Sequence, residues 1–398
     1  MSKKRIAIFF IIYFLFATSV NLVHPITVKY VNSLNLPDFY FGFLFSLMSL
    51  GQVVGAIFFG FLSDKIGRKW LIVIGLIGYC LSQLGFGFLN TYPIIILLFR
   101  FLAGISIAAP STLFVSMCLD ISSKEQKVKF LTISSSCYIL GTAFGYEIGG
   151  FLYDYINLNI SSIFIFQIIF TSITNLLIVL FIKDSIKNNK EKVNENIDKN
   201  VIKNIKPIVY FLLFNLMVLT ISQIIVNKYL DTYIIHIGYK PSTLGHYVFI
   251  SGVVSAISNI LLIPFIKKIK NKMLSICLLS FIFISSMLIF ITFISKQEKI
   301  LYFLFSTHIL YIVLKGFITP LEQNELASYS NLTNNGKLTG LRQTMLSIGN
   351  VVGPLIGSAF YINGSPSIFF IASFINLFSL VLYLSYFIFK YKKQTKIN

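Results

Sequence analysis

Long apolar runs separated by short polar or charged stretches make up most of this 398-residue sequence. Each run has roughly the 20 residues that an α-helix needs to cross a lipid bilayer. The pattern predicts an all-α polytopic membrane protein with twelve transmembrane helices, numbered here as spans 1 to 12. The spans cover residues 6–30, 39–62, 70–89, 93–118, 128–154, 160–182, 207–234, 242–266, 273–295, 300–321, 338–362 and 367–389.

The composition supports a membrane protein, and the distribution of charge predicts its topology. Apolar residues are 56% of the chain and charged residues 12%, whereas a soluble domain has about 45–50% apolar residues. The net charge of +19 would suit a nucleic-acid-binding protein, but most Lys and Arg residues fall in the termini and in alternate loops between spans. Such residues collect on the cytoplasmic side of membrane proteins. We therefore expect cytoplasmic N- and C-termini and no nucleic-acid partner.

A polar stretch and an internal repeat divide the chain into two halves. Residues Ile186 to Asn200 are rich in Lys, Asn and Glu and lack apolar periodicity, which is typical of a cytoplasmic linker. We expect two pseudo-symmetric six-helix bundles, residues 1–183 and 207–398, joined by a linker over 184–206. Glycines recur at one spacing in spans 5 and 11, where each row forms a small-residue helix face. The rows are either packing faces or interdomain seams along which the halves move, and they comprise Gly141, Gly145, Gly149, Gly349, Gly353, Pro354 and Gly357.

A charged loop of ten residues, Gly60 to Lys69, separates spans 2 and 3. A loop this short must make a tight turn on one side of the membrane. Asp64 is expected to accept hydrogen bonds from a neighbouring helix start or to pair with Arg68. Gly60 would allow close helix contact, and Gly67 tolerates the backbone of a sharp turn.

This loop resembles the signature between helices 2 and 3 of the major facilitator superfamily of transporters, G-x-x-x-D-R/K-x-G-R-R/K. Every defined position matches: Gly60, Asp64, Lys65, Gly67, Arg68 and Lys69. Arg100, followed by Gly104, resembles the helix 4 signature R-x-x-x-G. The glycine row of span 5 resembles that of drug:proton antiporters, with Tyr146 where their pattern has proline.

The resemblance implies two six-helix bundles that work by alternating access, with the charged loop as a cytoplasmic gate. It further implies a monomer in the lipid bilayer of a bacterial plasma membrane, with a small-molecule substrate and protons as the coupling ion. Helices 1, 4, 7 and 10 of the family line the central cavity.

Glu147 is the first candidate for proton coupling. It lies about midway through span 5, about 200° around the helix from Gly145. A carboxylate at membrane depth is costly and usually functional, and burial would favour the protonated form that a proton carrier needs. The alternative is a neutral acid bonded to a neighbouring Ser or Tyr. Arg100, which keeps its proton, either tunes the proton carrier, as the resemblance implies, or makes a structural ion pair or a hydrogen bond to backbone carbonyls.

Other polar side chains fall within spans 1, 7 and 10. His308 and Lys315 are seven residues apart, so they share a face of span 10, and His308 is either a proton-coupling residue or a hydrogen-bonded structural one. Lys228 and Asp231 in span 7 are spaced to pair on one face. The candidates for lining the substrate cavity are Asn21, His24, Arg100, Gln223, Asn227, Tyr311 and Lys315.

Four titratable residues near span ends are expected to be solvated: Asp154, His246, Glu322 and Glu325.

Several signatures of catalysis are absent from the sequence. It has no phosphate-binding glycine loop followed by Lys-Ser or Lys-Thr, no nucleophile elbow, no zinc-ligand spacing and no cofactor fingerprint. We therefore expect no enzyme, no metal and no cofactor, with the proton gradient as energy source. The expected function is secondary active transport, as proton-coupled export of small molecules or drugs. A proton-coupled importer or uniporter of a polar nutrient or organic anion is an alternative, and a non-transporting membrane receptor is another.

Overall fold

A computed structural model of the chain describes residues 3–37, 39–89, 92–122, 126–184, 207–268, 275–278, 280–283, 300–329, 335–361 and 365–395. These residues are helical apart from short connections, with no strand among them. Of the predicted linker over 184–206, only Asp184 is among the described residues, and most of span 9 also lies outside them.

The helices follow the predicted spans closely. They are α1 (Lys3–Asn21), α2 (His24–Ser33), α3 (Phe39–Ile66), α4 (Arg68–Phe88), α5 (Pro93–Ile121), α6 (Lys127–Asp154), α7 (Ile160–Phe181), α8 (Pro207–His236), α9 (Pro241–Lys268), α10 (Ile300–Phe303), α11 (Ile309–Ala327), α12 (Asn335–Phe360) and α13 (Ser367–Thr395). Within the described part of the chain, eight stretches are long and apolar enough to cross a membrane.

Spans 1 and 10 differ in detail from the continuous helices predicted for them. Span 1 is broken between Asn21 and His24, because Pro25 sits in the first turn of α2. A proline ring clashes with the carbonyl four residues earlier and lacks an N–H, so it starts a new helix. In span 10, a π-helical turn at Leu304–His308 joins α10 to α11. Such turns are frequent at functional sites, and this one ends at a predicted proton-coupling residue.

The helices form two compact units. The first comprises residues 3–184 together with Lys228–Leu261 and Pro354–Ser365. Its core contains an aromatic cluster in which the rings of Tyr13 and Phe16 pack against Phe114. The second comprises the described parts of 187–227, 262–353 and 366–398, with Tyr383 and Leu321 fully buried in its core. The division into halves at residues 183 and 207 stays a prediction.

The glycine row of α6 packs against α1 and α2, inside the first predicted half. A Cβ at Gly141 would lie 2.5 Å from the carbonyl oxygen of Phe14, and one at Gly145 would lie 2.6 Å from that of Thr18. Gly149 continues the row against Leu22 and Pro25 of the same segment. The structure therefore uses these three glycines as a packing face within the first predicted half, and a role for them as a moving seam stays a prediction.

The second glycine row repeats this arrangement between α12 and α8. Gly349 faces Thr220, and Gly353 faces Ile224, in the second unit. Gly357 faces the ring of Tyr229 in the first unit, where the Tyr229 hydroxyl donates to the Pro354 carbonyl oxygen at 2.8 Å. This row is likewise a packing face whose nearest partners lie within the same predicted half, and its role as a moving seam stays a prediction.

A different face of α6 meets α9, which belongs to the other predicted half. A Cβ at Gly245 of α9 would lie 2.8 Å from the Tyr146 carbonyl oxygen, and one at Gly252 would lie 2.5 Å from the Ala143 methyl. A Cβ at Gly150 of α6 would lie 2.7 Å from the Pro241 carbonyl oxygen. The small residues that bring these two helices together come from both of them, and those of span 8 form no regular glycine row in the sequence.

Candidate functional site

The charged loop is organised by two carboxylates from other helices. Gly67 has φ 99°, a conformation that suits glycine, and it separates α3 from α4. Asp184, after α7, accepts a hydrogen bond at 3.1 Å from the backbone N–H of Arg68, the first residue of α4. The Arg68 guanidinium lies 2.5 Å from an oxygen of Asp120 at the end of α5. Lys69 donates to the Val179 carbonyl oxygen at 2.7 Å.

These contacts change the interpretation of the loop. Asp120 and Asp184 take the two positions that the sequence suggested for Asp64, whose side chain lies outside the described residues. Gly60 is exposed, and a Cβ there would meet no described atom within 4 Å, so the expected close helix contact is not formed with any described residue. The sequence did not identify Asp120 or Asp184, because both look like ordinary charged span ends.

Replacing Asp184 by Ala is expected to lower the stability of the α3–α4 turn by about 1 kcal/mol, the usual net contribution of one hydrogen bond. The reason is that the first N–H groups of α4 would lose their acceptor. The apparent melting temperature in detergent should fall, whereas Lys183→Ala, at an exposed neighbouring position, should leave it unchanged. Equal melting of the two variants would contradict the capping role.

Glu147 of α6 pairs with His246 of α9. Nδ1 of His246 lies 2.7 Å from Oε1 of Glu147, and the two side chains are 45% and 27% exposed. Oε2 of Glu147 is buried and has no hydrogen-bond partner among the described residues. The sequence analysis predicts a solvated His246, because no spacing along the chain indicates that α9 brings this residue to Glu147.

Asp154, also expected to be solvated, instead joins α6 to α9. Its Oδ2 accepts a hydrogen bond from the backbone N–H of Ser242 at 2.6 Å. Ser242 lies in the first turn of α9, where N–H groups have no partner within the helix. The carboxylate therefore caps α9 from the end of α6.

Tyr146, at the position where the antiporter pattern has proline, links three helices. Its hydroxyl donates to Oδ2 of Asp231 in α8 at 3.1 Å. The ring of His24 in α2 stacks parallel to the Tyr146 ring, with centroids 5.5 Å apart. Lys228 does not pair with Asp231 as predicted, since no described carboxylate oxygen lies within 4 Å of its ammonium group. Lys228 Nζ instead lies 4.4 Å from the ring centroid of Phe45.

Arg100 of α5 is buried beside an aromatic ring. Its side chain is 5% exposed, and its Cζ lies 3.6 Å from the ring centroid of Phe86. One terminal nitrogen lies 3.8 Å from the sulfur of Met48. Its Nε has no hydrogen-bond partner, and no carboxylate oxygen lies within 4 Å of the guanidinium in the described part of the chain. The structural ion pair considered for Arg100 is therefore not formed with any described residue.

Close glycine contact brings α3 against α5 at this level. A Cβ at Gly104 would lie 3.0 Å from the Cα of Gly51 and 2.9 Å from the carbonyl carbon of Met48. The absence of side chains at both glycines lets the backbones approach, and this approach puts Met48 over Arg100. The glycine of the R-x-x-x-G motif, Gly104, therefore permits the close helix contact that places Met48 beside Arg100.

The remaining cavity candidates lie in different surroundings. Asn21 donates to the Ala17 carbonyl oxygen at 2.8 Å and to the Thr142 hydroxyl at 3.1 Å, so it joins α1 to α6. In the second unit, His308 is buried with its ring 5.5 Å from that of Tyr311. Lys315 and Gln223 are half-buried and Asn227 is exposed.

Two acids near the end of α11 are buried, contrary to the expectation of solvated side chains. Glu325 accepts a hydrogen bond at 2.6 Å from the Tyr386 hydroxyl and pairs with Lys390. Glu322 lines a small cavity with Arg342, its electrostatic neighbour. The sequence missed these contacts because the partners come from spans 11 and 12.

Comparison with known proteins accounts for the architecture. Residues 9–314 match the Major Facilitator Superfamily. Over 358 residues the chain is 25% identical to Multidrug resistance protein 2 of Bacillus subtilis, covering 86% of this chain and 85% of the relative. It is 24% identical to the quinolone resistance protein NorA of Staphylococcus aureus over 368 residues, covering 91% of this chain and 90% of NorA.

Solved structures share the fold. A bacterial homolog of the human lysosomal transporter Spinster, inward-facing and occupied, superimposes with a TM-score of 0.76 at 14% identity, covering 97% of both chains. A D-xylose–proton symporter gives 0.73 at 12% identity, covering 95% of this chain and 96% of the symporter. The predictions of an all-α transporter fold and of a non-enzymatic function are confirmed. This chain belongs to the Major Facilitator Superfamily and is a multi-pass membrane transporter.

Proposed function

We propose that this transporter exports small amphipathic molecules across the plasma membrane in exchange for protons. The Glu147–His246 pair carries the proposal, because it places a titratable carboxylate between two helices that must separate in alternating access. The relatives named for multidrug and quinolone resistance support a substrate of this kind. The proton gradient supplies the energy, with no cofactor, and the protein acts as a monomer.

The two carboxylate oxygens of Glu147 lie in different surroundings. Its Oε1 is paired with His246, whereas its Oε2 is buried without a hydrogen-bond partner among the described residues. A buried acceptor on an ionised carboxylate is unfavourable when it has no partner. Protonation of Glu147 removes the charge and weakens the pair, so the helices on either side can part more readily.

The contacts between α6 and α9 form the proposed outer gate. On the topology with cytoplasmic termini, the end of α6 and the start of α9 face the outside. Opening there breaks the Asp154–Ser242 hydrogen bond and the Glu147–His246 pair. Glu147 then takes a proton from outside, and the gate closes again over small residues such as Gly245.

The proton leaves on the cytoplasmic side, where the loop with Asp64 and Arg68 forms the inner gate.

A second function is favoured by one observation. Arg100 is buried without a described carboxylate partner, which suits a transporter of organic anions. Among the structures with the same fold is one of a human organic anion transporter, at a TM-score of 0.62 and 15% identity. An organic anion transporter would use the same fold and the same outer gate, but the direction of transport or its coupling to protons would differ.

Purified protein in liposomes with a trapped pH dye tests the proposed function. The probes are a panel of lipophilic cations, organic anions and sugars, each added under an imposed proton gradient. The proposal expects at least one amphipathic class to dissipate the gradient, and sugars to have no effect. Movement of radiolabelled substrate without any proton flux would contradict it.

A further inference from the structure

We propose that Arg100 and Lys228 form a subsite for the acidic group of an amphipathic substrate that has an aromatic or apolar body. The inference rests on the proposed function in that the ligand is a transported molecule. It adds the chemical class of that molecule.

The two cations face adjacent turns of one helix. Lys228 lies over the ring of Phe45, and Arg100 contacts the sulfur of Met48, three residues further along α3. Residues three apart on a helix are neighbours on one face. Arg100 and Lys228 are also electrostatic neighbours. The two positive groups therefore approach the same face of α3 from α5 and α8.

Neither cation forms an ion pair within 4 Å with a described carboxylate, although Asp231 is an electrostatic neighbour of Lys228. A guanidinium or ammonium buried at membrane depth is costly, and contact with an aromatic ring compensates only part of the cost of removing a charge from water. Arg100 retains a buried Nε without a partner in the described part of the chain. An acidic ligand group would supply the missing acceptor and the missing charge.

The nearby titratable groups leave an excess of positive charge. Asp231 accepts a hydrogen bond from Tyr146 and is an electrostatic neighbour of Lys228, without forming an ion pair within 4 Å. His24 is an electrostatic neighbour of both Lys228 and Arg100. The carboxylate of Glu147 is engaged by His246. Two fixed cations and a histidine thus face one acid, so a ligand with one negative charge balances the site.

The surrounding rings indicate the rest of the ligand. Phe45 packs against Phe41 with centroids 4.8 Å apart, and Phe86 covers the guanidinium of Arg100. Rings next to a cation offer apolar area to the part of a ligand that follows its acidic group. A sugar or a small inorganic anion would leave these rings without a partner.

A matched pair of probes tests the subsite by binding alone, independently of proton coupling. The probes are 2-naphthoate and 2-naphthylmethylammonium, which share a body and differ in the sign of charge. Calorimetric titration of the full chain in phosphatidylcholine nanodiscs should show tighter binding of naphthoate. Arg100→Gln and Lys228→Gln should each weaken naphthoate binding by about 10- to 100-fold, as expected for loss of a charge-assisted hydrogen bond.

Controls separate the subsite from general effects of charge and folding. Lys129→Gln removes a positive charge at an exposed position and should bind naphthoate like the wild type. Lys228→Arg keeps the charge and should bind within a few-fold of the wild type, so the inference stays testable if Arg100→Gln does not fold. Tighter binding of the ammonium probe, binding of neither probe, or unchanged naphthoate binding in Lys228→Gln would overturn the inference.

A lipid headgroup could use the same chemistry. Naphthoate binding that disappears when phosphatidylglycerol replaces part of the phosphatidylcholine would assign the subsite to lipid and overturn its assignment to substrate. Failure of proton coupling with preserved naphthoate binding would count against the proposed function alone.

Discussion

Replacing Glu147 by Gln is expected to abolish proton-driven transport while the protein still folds and still exchanges substrate. Glutamine is close in shape to a protonated glutamate but cannot release a proton. Its amide can keep a hydrogen bond to His246, which lies 2.7 Å from Glu147 in the wild type. The variant should therefore resemble the protonated state permanently, so that the outer gate opens and closes with no proton carried.

Two assays on the same proteoliposomes separate coupling from movement. The first measures uptake driven by an imposed proton gradient, and the second measures exchange of labelled for unlabelled substrate without a gradient. Glu195→Gln removes a carboxylate from the predicted linker and should behave like the wild type in both. Gradient-driven uptake at the wild-type rate in Glu147→Gln would exclude Glu147 as the proton carrier.

Replacing Gly145 by Ala is expected to destabilise the protein, although alanine is the better helix former. The new methyl would lie 2.6 Å from the Thr18 carbonyl oxygen and 3.1 Å from Asn21, so α1 and α6 would have to move apart. Overpacking of this kind costs about 1–3 kcal/mol, more than the roughly 0.5–1 kcal/mol by which alanine favours a helix over glycine. The melting temperature in detergent should fall.

Gly340→Ala is the matched control for this substitution. Gly340 lies in α12, and a Cβ there would meet no described atom within 4 Å. Only the helix preference remains, so this variant should melt at the same temperature as the wild type or slightly higher. A fall of similar size in both variants would mean that the packing of Gly145 against α1 does not decide its stability.

The features predicted correctly from the sequence are those encoded along the chain. Apolar runs of membrane-spanning length predict the transmembrane helices, and the motif from Gly60 to Lys69 indicates the family. The glycine rows correctly predicted that another helix backbone comes close. These signals depend on local spacing and composition, so a single sequence is enough to read them.

The partners of the charged residues could not be predicted in this way. His246 looks like a loop residue in the sequence, and Asp120 and Asp184 look like ordinary helix ends. Their roles depend on which distant helices meet, and spacing along one span does not contain that information. The same limit left two interpretations of the glycine row of α6 open, because its partner, α1, is set by the three-dimensional packing.

The break in span 1 shows a case where more could have been read from the sequence. Pro25 lies within an apolar run that was predicted as one helix, yet proline in a helix interior removes a hydrogen bond and clashes with the preceding turn. The structure ends α1 at Asn21 and starts α2 at His24. His24, the first residue of α2, stacks its ring on that of Tyr146, so the break lies next to the candidate site.

Accumulation of substrate against its own gradient in inverted membrane vesicles is the most direct test of proton-coupled export. In these vesicles the cytoplasmic face is outside, and the interior can be made acidic. The account predicts that a transported probe concentrates inside when the interior is acidic, and that a protonophore returns it to equilibrium. Simple equilibration regardless of the gradient, or accumulation only when the interior is alkaline, would contradict export by proton exchange.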